Sequence, residues 1–304
     1  MIVNGGDDMQ FNEIIEKGKQ VKATIAVCKS NDESVIKSVV KAIKETNVNF
    51  ILFDEEPQDE LIRSFNLSAT EFKRIHIVQT RDEQHTVSEC VNSVSSGEAD
   101  LIMKGIVSTS MLLKEILNDK HQLKTSKRMS HVALFNVPEY HKMLAISDVA
   151  MNIAPNAEDK IEITSNLIDT LHILGIETPN IAVLSAIENV NPKMQSSVDA
   201  HAVVSHFKNM STEAMIEGPI AFDAAINKQA SIVKNIDSNI SGNVDGLIVP
   251  QIESGNILYK SLVYLTHADV ASIIIGAKIP IILTSRSDNS RDKFHSICSA
   301  LMLI

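Results

Sequence analysis

The first third of the chain alternates two patterns. Short apolar runs stand at TIAVC (24–28), FILFDE (50–55), RIHIVQT (74–80) and DLIMKG (100–105). Between and after them lie segments whose apolar residues recur every three or four positions: 32–45, 59–65, 85–96 and 108–118. The first period suits buried strands and the second amphipathic helices. A strand–helix rhythm of this kind predicts a parallel sheet covered by helices on both faces.

The rhythm then changes. HVALFNVP (131–138) and KMLAISD (142–148) are apolar runs separated by the short turn EYH, which predicts an antiparallel hairpin. A helix is expected from Glu158 to Leu174, with Gly175 as its C-cap. Strands follow at 181–186, 246–250, 272–276 and 280–285, and helices at 198–209, 257–265 and 292–303. The run SIIIGAKIPIILTS contains Lys278 and Pro280, which divide it into two strands. EGPIAFDAAI (217–226) has a Gly-Pro turn character that pattern alone does not explain.

This order predicts two three-layer α/β domains with mainly parallel sheets and a cleft between them. The first would hold residues 1–147 plus 286–304. The second, 148–285, would carry oligomer contacts. Small ligands bind at domain clefts of this kind.

Composition narrows the function. The chain has 304 residues, 44% of them hydrophobic, no tryptophan and few aromatics, so its core must be aliphatic. A formal net charge of −10, with Lys and Arg spread along the chain, argues against a nucleic-acid partner or an anionic membrane surface. Cys28, Cys90 and Cys298 are far apart and form no CxxC pair, which points to a reducing cytoplasm and not to a disulfide framework or zinc site. The N-terminus has no apolar signal region, and no apolar run reaches the roughly 20 residues of a bilayer span. His131, His141, His172 and His201 show no metal spacing and are expected to be surface or satisfied core residues. No nucleophile elbow, Walker-A loop or GxGxxG motif is present.

Three strand-to-helix junctions could carry chemistry. In KGIVSTS, Lys104 and Gly105 end a strand, and Ser108, Thr109 and Ser110 stand at a helix start. Free backbone N–H groups and the helix dipole make such a place an anion site, with Lys104 adding charge and Gly105 allowing close approach. Helix capping accounts for the same hydroxyls. In VPQIESGNILYK, a polar turn holding Glu253, Ser254, Gly255 and Asn256 would lie at the carboxyl edge of the sheet, with Tyr259 and Lys260 one turn into the helix. Tyr259 as core packing is the alternative. In TSRSDNSRD, Ser285 and Arg286 follow a strand and Asp292 falls in the first turn of the last helix. The arginine fork suits phosphate, and the carboxylate could serve as a general base. A solvated cap, with Asp288 or Ser290 capping the helix, is the alternative.

The segments LIMKGIVSTSMLLKEILN, SHVALFNVP, SDVAMNIAP, VNPKMQSSVDA, EGPIAFDAAI, VPQIESGNILYKSLVY and IIIGAKIPIILTSRSD occur in this order from about Leu101 to the C-terminus. Together they resemble the phosphate acetyl/butyryltransferase family. The resemblance implies an isopropylmalate dehydrogenase-like fold, a homo-oligomer, and reversible transfer of an acyl group between coenzyme A and phosphate. It implies no bound cofactor or metal, since coenzyme A and phosphate are substrates. The VNPKM stretch is similar to butyryl-type members, which points to butyryl-CoA; an acetyl-type preference for a shorter acyl group is the alternative. The resemblance assigns the active site to Ser285, Arg286 and Asp292. It also places Lys114 where acetyl-type members have an arginine. The expected mechanism is direct transfer: Asp292 takes the thiol proton of coenzyme A, while Arg286, Ser285 and donors near Ser108 to Ser110 meet the developing charge. A metal-dependent 2-hydroxy acid dehydrogenase on the same scaffold, or a sensor without turnover, would be distinguished by assay.

Overall fold

The computed structural model describes residues 10–210, 212–283 and 288–304. Along the chain run α1 (Phe11–Gly18), β1 (Thr24–Cys28), α2 (Glu33–Glu45), β2 (Asn49–Asp54), α3 (Asp59–Arg63), α4 (Ala69–Phe72), β3 (Ile75–Gln79), α5 (Glu83–Ser95), β4 (Leu101–Lys104) and α6 (Thr109–Ile116). Then come β5 (Ser130–Asn136), β6 (Leu144–Ser147), α7 (Ala157–Ile173), β7 (Asn180–Leu184), α8 (Gln195–Lys208), β8 (Met215–Ile220), α9 (Phe222–Ile226) and α10 (Lys228–Val233). The last elements are β9 (Gly246–Ile248), α11 (Ile252–Leu265), β10 (Asp269–Ile275), β11 (Ile281–Ile282) and α12 (Ser290–Leu301).

The chain forms two compact units, one holding Asn12–Lys127 with Ala271–Ile304, the other Arg128–Val270. They are called the outer and central units below. The expected cuts lie after residues 147 and 285, whereas the compact groups change over after residues 127 and 270. The pairing explains the placement. β5 is antiparallel to β6, and β6 pairs with β9, so the hairpin belongs with the later strands. β11 pairs with β4 and α12 packs on α2, which joins the chain end to the early strands.

In the outer unit the strand order is β3-β2-β1-β4-β11-β10. Pairing is parallel from β3 to β11, and β10 runs antiparallel to β11. The crossover β1–α2–β2 moves one way across this order and β3–α5–β4 moves the other way. Right-handed crossovers in opposite directions put α2 and α5 on opposite faces. In agreement, α2 packs with α12, and α5 with α6. The winding therefore reverses between β1 and β4, and ligands of open α/β sheets bind outside the carboxyl ends of strands at such a point. Sequence explains the helices locally. The Asp32 side chain accepts from the N–H groups of Ser34 and Val35, and α2 then buries Val35, Ile36, Val39, Val40 and Ile43.

The central unit orders its strands β5-β6-β9-β7-β8, parallel except for the predicted hairpin β5–β6. Its core gathers Phe135, Ile146, Ala182, Leu247, Val249 and Tyr259 among other buried side chains. α7 starts on a reciprocal cap between Asn156 and Asp159; its C-cap is Leu174, and the expected cap Gly175 follows it with a φ of 93°. The unexplained stretch EGPIAFDAAI is the end of β8 followed by α9. β8 ends the strand order, and an edge position tolerates Pro219, which has no N–H to donate.

Candidate functional site

The KGIVSTS junction lies at the reversal point of the outer unit. β4 ends at Lys104 and its neighbour β1 ends at Cys28. The N–H of Gly105 donates to the Cys28 carbonyl at 2.8 Å, and Ile106 donates to the Lys29 carbonyl at 2.8 Å. A Cβ on Gly105 would stand 2.0 Å from that Lys29 oxygen, so only glycine lets the two loops close up. Lys104 is buried, and its Nζ donates to the Gly105 carbonyl at 3.1 Å. Ser108 caps α6 by accepting from Met111 N at 3.2 Å, so the capping role is real for that hydroxyl. Thr109 and Ser110 supply the first helical residues; Ser108 and Ser110 are exposed and Thr109 is half-buried. Lys114 is exposed in the last turn of α6, away from its N-terminal end.

The stretch TSRSDNSRD is described from Asp288 onward; Ser285 and Arg286 lie outside the described residues. β11 ends at Ile282 beside Met103 of β4, on the same edge as Lys104. The cap of α12 is Asn289, which accepts from Asp292 N at 2.9 Å, in place of the expected Asp288 or Ser290. Asp292 is 5% exposed in the first turn of α12. One turn on, His295 offers a ring nitrogen within 4.8 Å of an Asp292 carboxylate oxygen. Beside Asp292, Lys293 is buried and donates from Nζ to the Asp288 carbonyl.

The third stretch differs from its expected form. α11 begins at Ile252, so Glu253, Ser254, Gly255 and Asn256 are helical and do not form a polar turn. Its cap Gln251 makes no side-chain capping bond. What fixes the helix start is packing. Gly255 is buried, and a Cβ there would meet Val249 Cγ2 at 2.8 Å and the Asp148 oxygen at 3.0 Å. Ser254, Asn256 and Lys260 are exposed. Tyr259 is buried, its ring 5.3 Å edge-on to Phe135 and 6.4 Å from His131, within the core of the central unit.

A cavity of about 270 Å³ opens at the carboxyl edge of the central unit, lined by Pro155, Lys160, Gln195, Ser196, Asp199 and Gln251 among others. These residues follow β6, β7 and β9, the place where parallel strands present ligand sites. Lys160 and Asp199 form an ion pair at 2.6 Å, both nearly inaccessible, and Gln195 Nε2 donates to the same carboxylate at 2.7 Å. Sequence reading missed this pair because Lys160 and Asp199 read as ordinary polar positions on helices. The VNPKM segment ends at Met194, the N-cap of α8, immediately before Gln195 and Ser196.

Among the histidines, the expectation of satisfied core residues fails at two. Among the described residues, His131 Nδ1 and His172 Nε2 are buried and find no hydrogen-bond partner. Burial pushes the His131 pKa down to about 4, opposed by the nearby Asp148 carboxylate. All three cysteines are buried and unbridged. Among the described residues, no helix is long and apolar enough to cross a membrane.

Comparison with known proteins gives a consistent answer. Residues 83–301 match the family model described as "Phosphate acetyl/butaryl transferase". A Bacillus subtilis (strain 168) protein named "Probable phosphate butyryltransferase" is 38% identical over 296 residues, covering 96% of this chain and 97% of that protein. The phosphate acetyltransferase of Thermotoga maritima is 36% identical over 291 residues, covering 95% and 98%. The crystal structure of a branched-chain phosphotransacylase from Enterococcus faecalis V583 aligns with a TM-score of 0.83 at 40% identity, covering 92% of this chain and 98% of that one.

Proposed function

This chain belongs to the phosphate acetyl/butyryl transferase family and is a phosphate acyltransferase, and we propose that it exchanges a butyryl group between coenzyme A and phosphate with Asp292 as general base. The observation that carries the assignment is the position of Asp292. It is a carboxylate shielded from water in the first turn of α12, in the same compact unit as the Lys104–Ser110 junction. Exclusion of water lets a positioned carboxylate act on a substrate proton with less competition from solvent.

In the direction that consumes acyl phosphate, Asp292 takes the proton from the thiol of coenzyme A. The thiolate, a far stronger nucleophile than the thiol, attacks the acyl carbonyl. The bond from the acyl carbon to the phosphate oxygen breaks, and phosphate leaves as its anion. In reverse, a phosphate oxygen attacks the thioester carbonyl, the thiolate leaves, and protonated Asp292 returns the proton. Charge develops on the carbonyl oxygen and rests on phosphate. Arg286, Ser285, Lys104 and the first-turn donors of α6 are the groups assigned to meet it. Ser254, Gly255, Asn256, Tyr259 and Lys260 are assigned to coenzyme A on the central unit. Gly255 and Tyr259 are buried and would act by shaping α11, while the exposed Ser254, Asn256 and Lys260 would contact the ligand. The reaction written this way uses coenzyme A and phosphate as substrates and needs no further cofactor.

Relatives named for acetyl and for butyryl transfer are almost equally similar, so the butyryl preference rests on the VNPKM segment. Each methylene of chain length is worth only about 0.8 kcal/mol of burial. The test is thiol release from acetyl-, propionyl-, butyryl- and isobutyryl-CoA with and without phosphate. The highest kcat/KM is expected for butyryl-CoA, with no release lacking phosphate. A preference for acetyl-CoA would assign the shorter acyl group instead, and release independent of phosphate would refute the reaction.

A further inference from the structure

Lys293 is among the least accessible side chains in the protein, 1% exposed. Lysine is almost never buried to this degree unless paired, because its ammonium loses its hydration. Its surroundings include the positive end of a helix dipole, since it sits in the first turn of α12. α12 packs on α2, and the charge of Lys293 acts on Asp32, the residue that caps α2. Burial pushes the Lys293 pKa down, and Asp288, Asp32 and Asp292 oppose it. Nζ donates to the backbone carbonyl of Asp288, just before the Asn289 cap. The cation is thus hydrogen-bonded to the segment entering α12, and its charge is felt by the Asp32 and Asp292 carboxylates. An apolar side chain could fill the space but could make neither the hydrogen bond nor the charge interactions.

We propose that Lys293 is a positioning residue for acyl transfer, anchoring the first turn of α12 through its hydrogen bond to the Asp288 carbonyl so that Asp292 is held where it can reach the thiol of coenzyme A. The proposal rests on the assignment of Asp292 as the base. Lys293 itself is too buried to touch substrate, so its effect passes through the neighbouring carboxylate. Misplacing a reacting group by about 1 Å can lower a rate by about 10²-fold without weakening substrate binding.

The test compares Lys293→Met, the double variant Lys293→Met/Asp32→Asn, and Asp292→Asn, each as the full chain, with coenzyme A and butyryl phosphate as substrates. Asn caps a helix about as well as Asp, so the double variant removes the charge at position 32 while keeping the cap of α2. Lys293→Met is expected to lower kcat by about 10²-fold with KM for both substrates nearly unchanged. The double variant is expected to regain thermal stability and to keep the low kcat. Wild-type kcat in Lys293→Met, or its recovery in the double variant, would show that Lys293 only balances the charge of nearby carboxylates and would overturn the proposal. So would failure of the double variant to fold, which would make the lysine a stability element. If Asp292→Asn turns over at the wild-type rate, the base assignment falls and this inference with it. If Asp292→Asn is inactive while Lys293→Met is unimpaired, only this inference falls.

Discussion

Gly105 and Lys29 are packed backbone to backbone: a Cβ on Gly105 would stand 2.0 Å from the carbonyl oxygen of Lys29 and 2.7 Å from that of Cys28. The contact closes the loop after β4 onto the loop after β1, where the winding of the sheet reverses. Backbone oxygens cannot rotate aside as a flexible side chain would. Gly105→Ala is therefore expected to destabilise by about 1–3 kcal/mol in urea unfolding, the range for forced overpacking. It should also reduce kcat/KM, because the displaced loop carries Lys104 and leads to Ser108. An alanine variant with unchanged stability and activity would show that the junction is slack.

The buried pair Lys160–Asp199 gives a prediction in the central unit. Removing one partner leaves a charge that is nearly inaccessible to water. Lys160→Met is expected to lower stability by about 3–5 kcal/mol, whereas Lys160→Met with Asp199→Leu should come back close to wild type. Chemical denaturation of the two variants checks this. Equal losses in the single and double variants would mean that packing around the stems, and not the stranded carboxylate, sets the effect.

His131 sets a pH dependence. Its folded pKa is depressed from 6.5 to about 4 by burial. The native state therefore keeps a neutral ring where the unfolded chain takes up a proton. Stability is full above pH 6.5 and is lost progressively as pH falls toward 4. The depression corresponds to a loss on the order of 3 kcal/mol across that interval. Unfolding free energies measured from pH 7.5 to 4.5 should fall more steeply for the wild type than for His131→Phe, which cannot titrate. Parallel curves would show that His131 does not contribute.

The apolar runs made most strands legible, and the change from a parallel rhythm to the hairpin at 131–148 appears in the structure as the antiparallel pair β5–β6. Where reading failed, tertiary packing had overridden local signals. Residues 252–256 look like a polar turn, yet they are the first turn of α11 because Gly255 lets the helix press on Val249 and Asp148. Pro219 hides β8, since its acceptability depends on an edge position that sequence does not display. The three candidate junctions were visible as strand ends followed by hydroxyls, acids or basic residues. Lys293, Lys160 and Asp199 were not, because burial of a charge depends on partners distant in the chain.

Turnover by Asp292→Asn measures the central claim most directly. The variant keeps the shape of the side chain, and its thermal midpoint should confirm the fold. Loss of a positioned base is expected to reduce phosphate-dependent release of coenzyme A from butyryl-CoA by about 10²–10⁴-fold. A folded Asp292→Asn enzyme that releases coenzyme A at close to the wild-type rate would contradict the account.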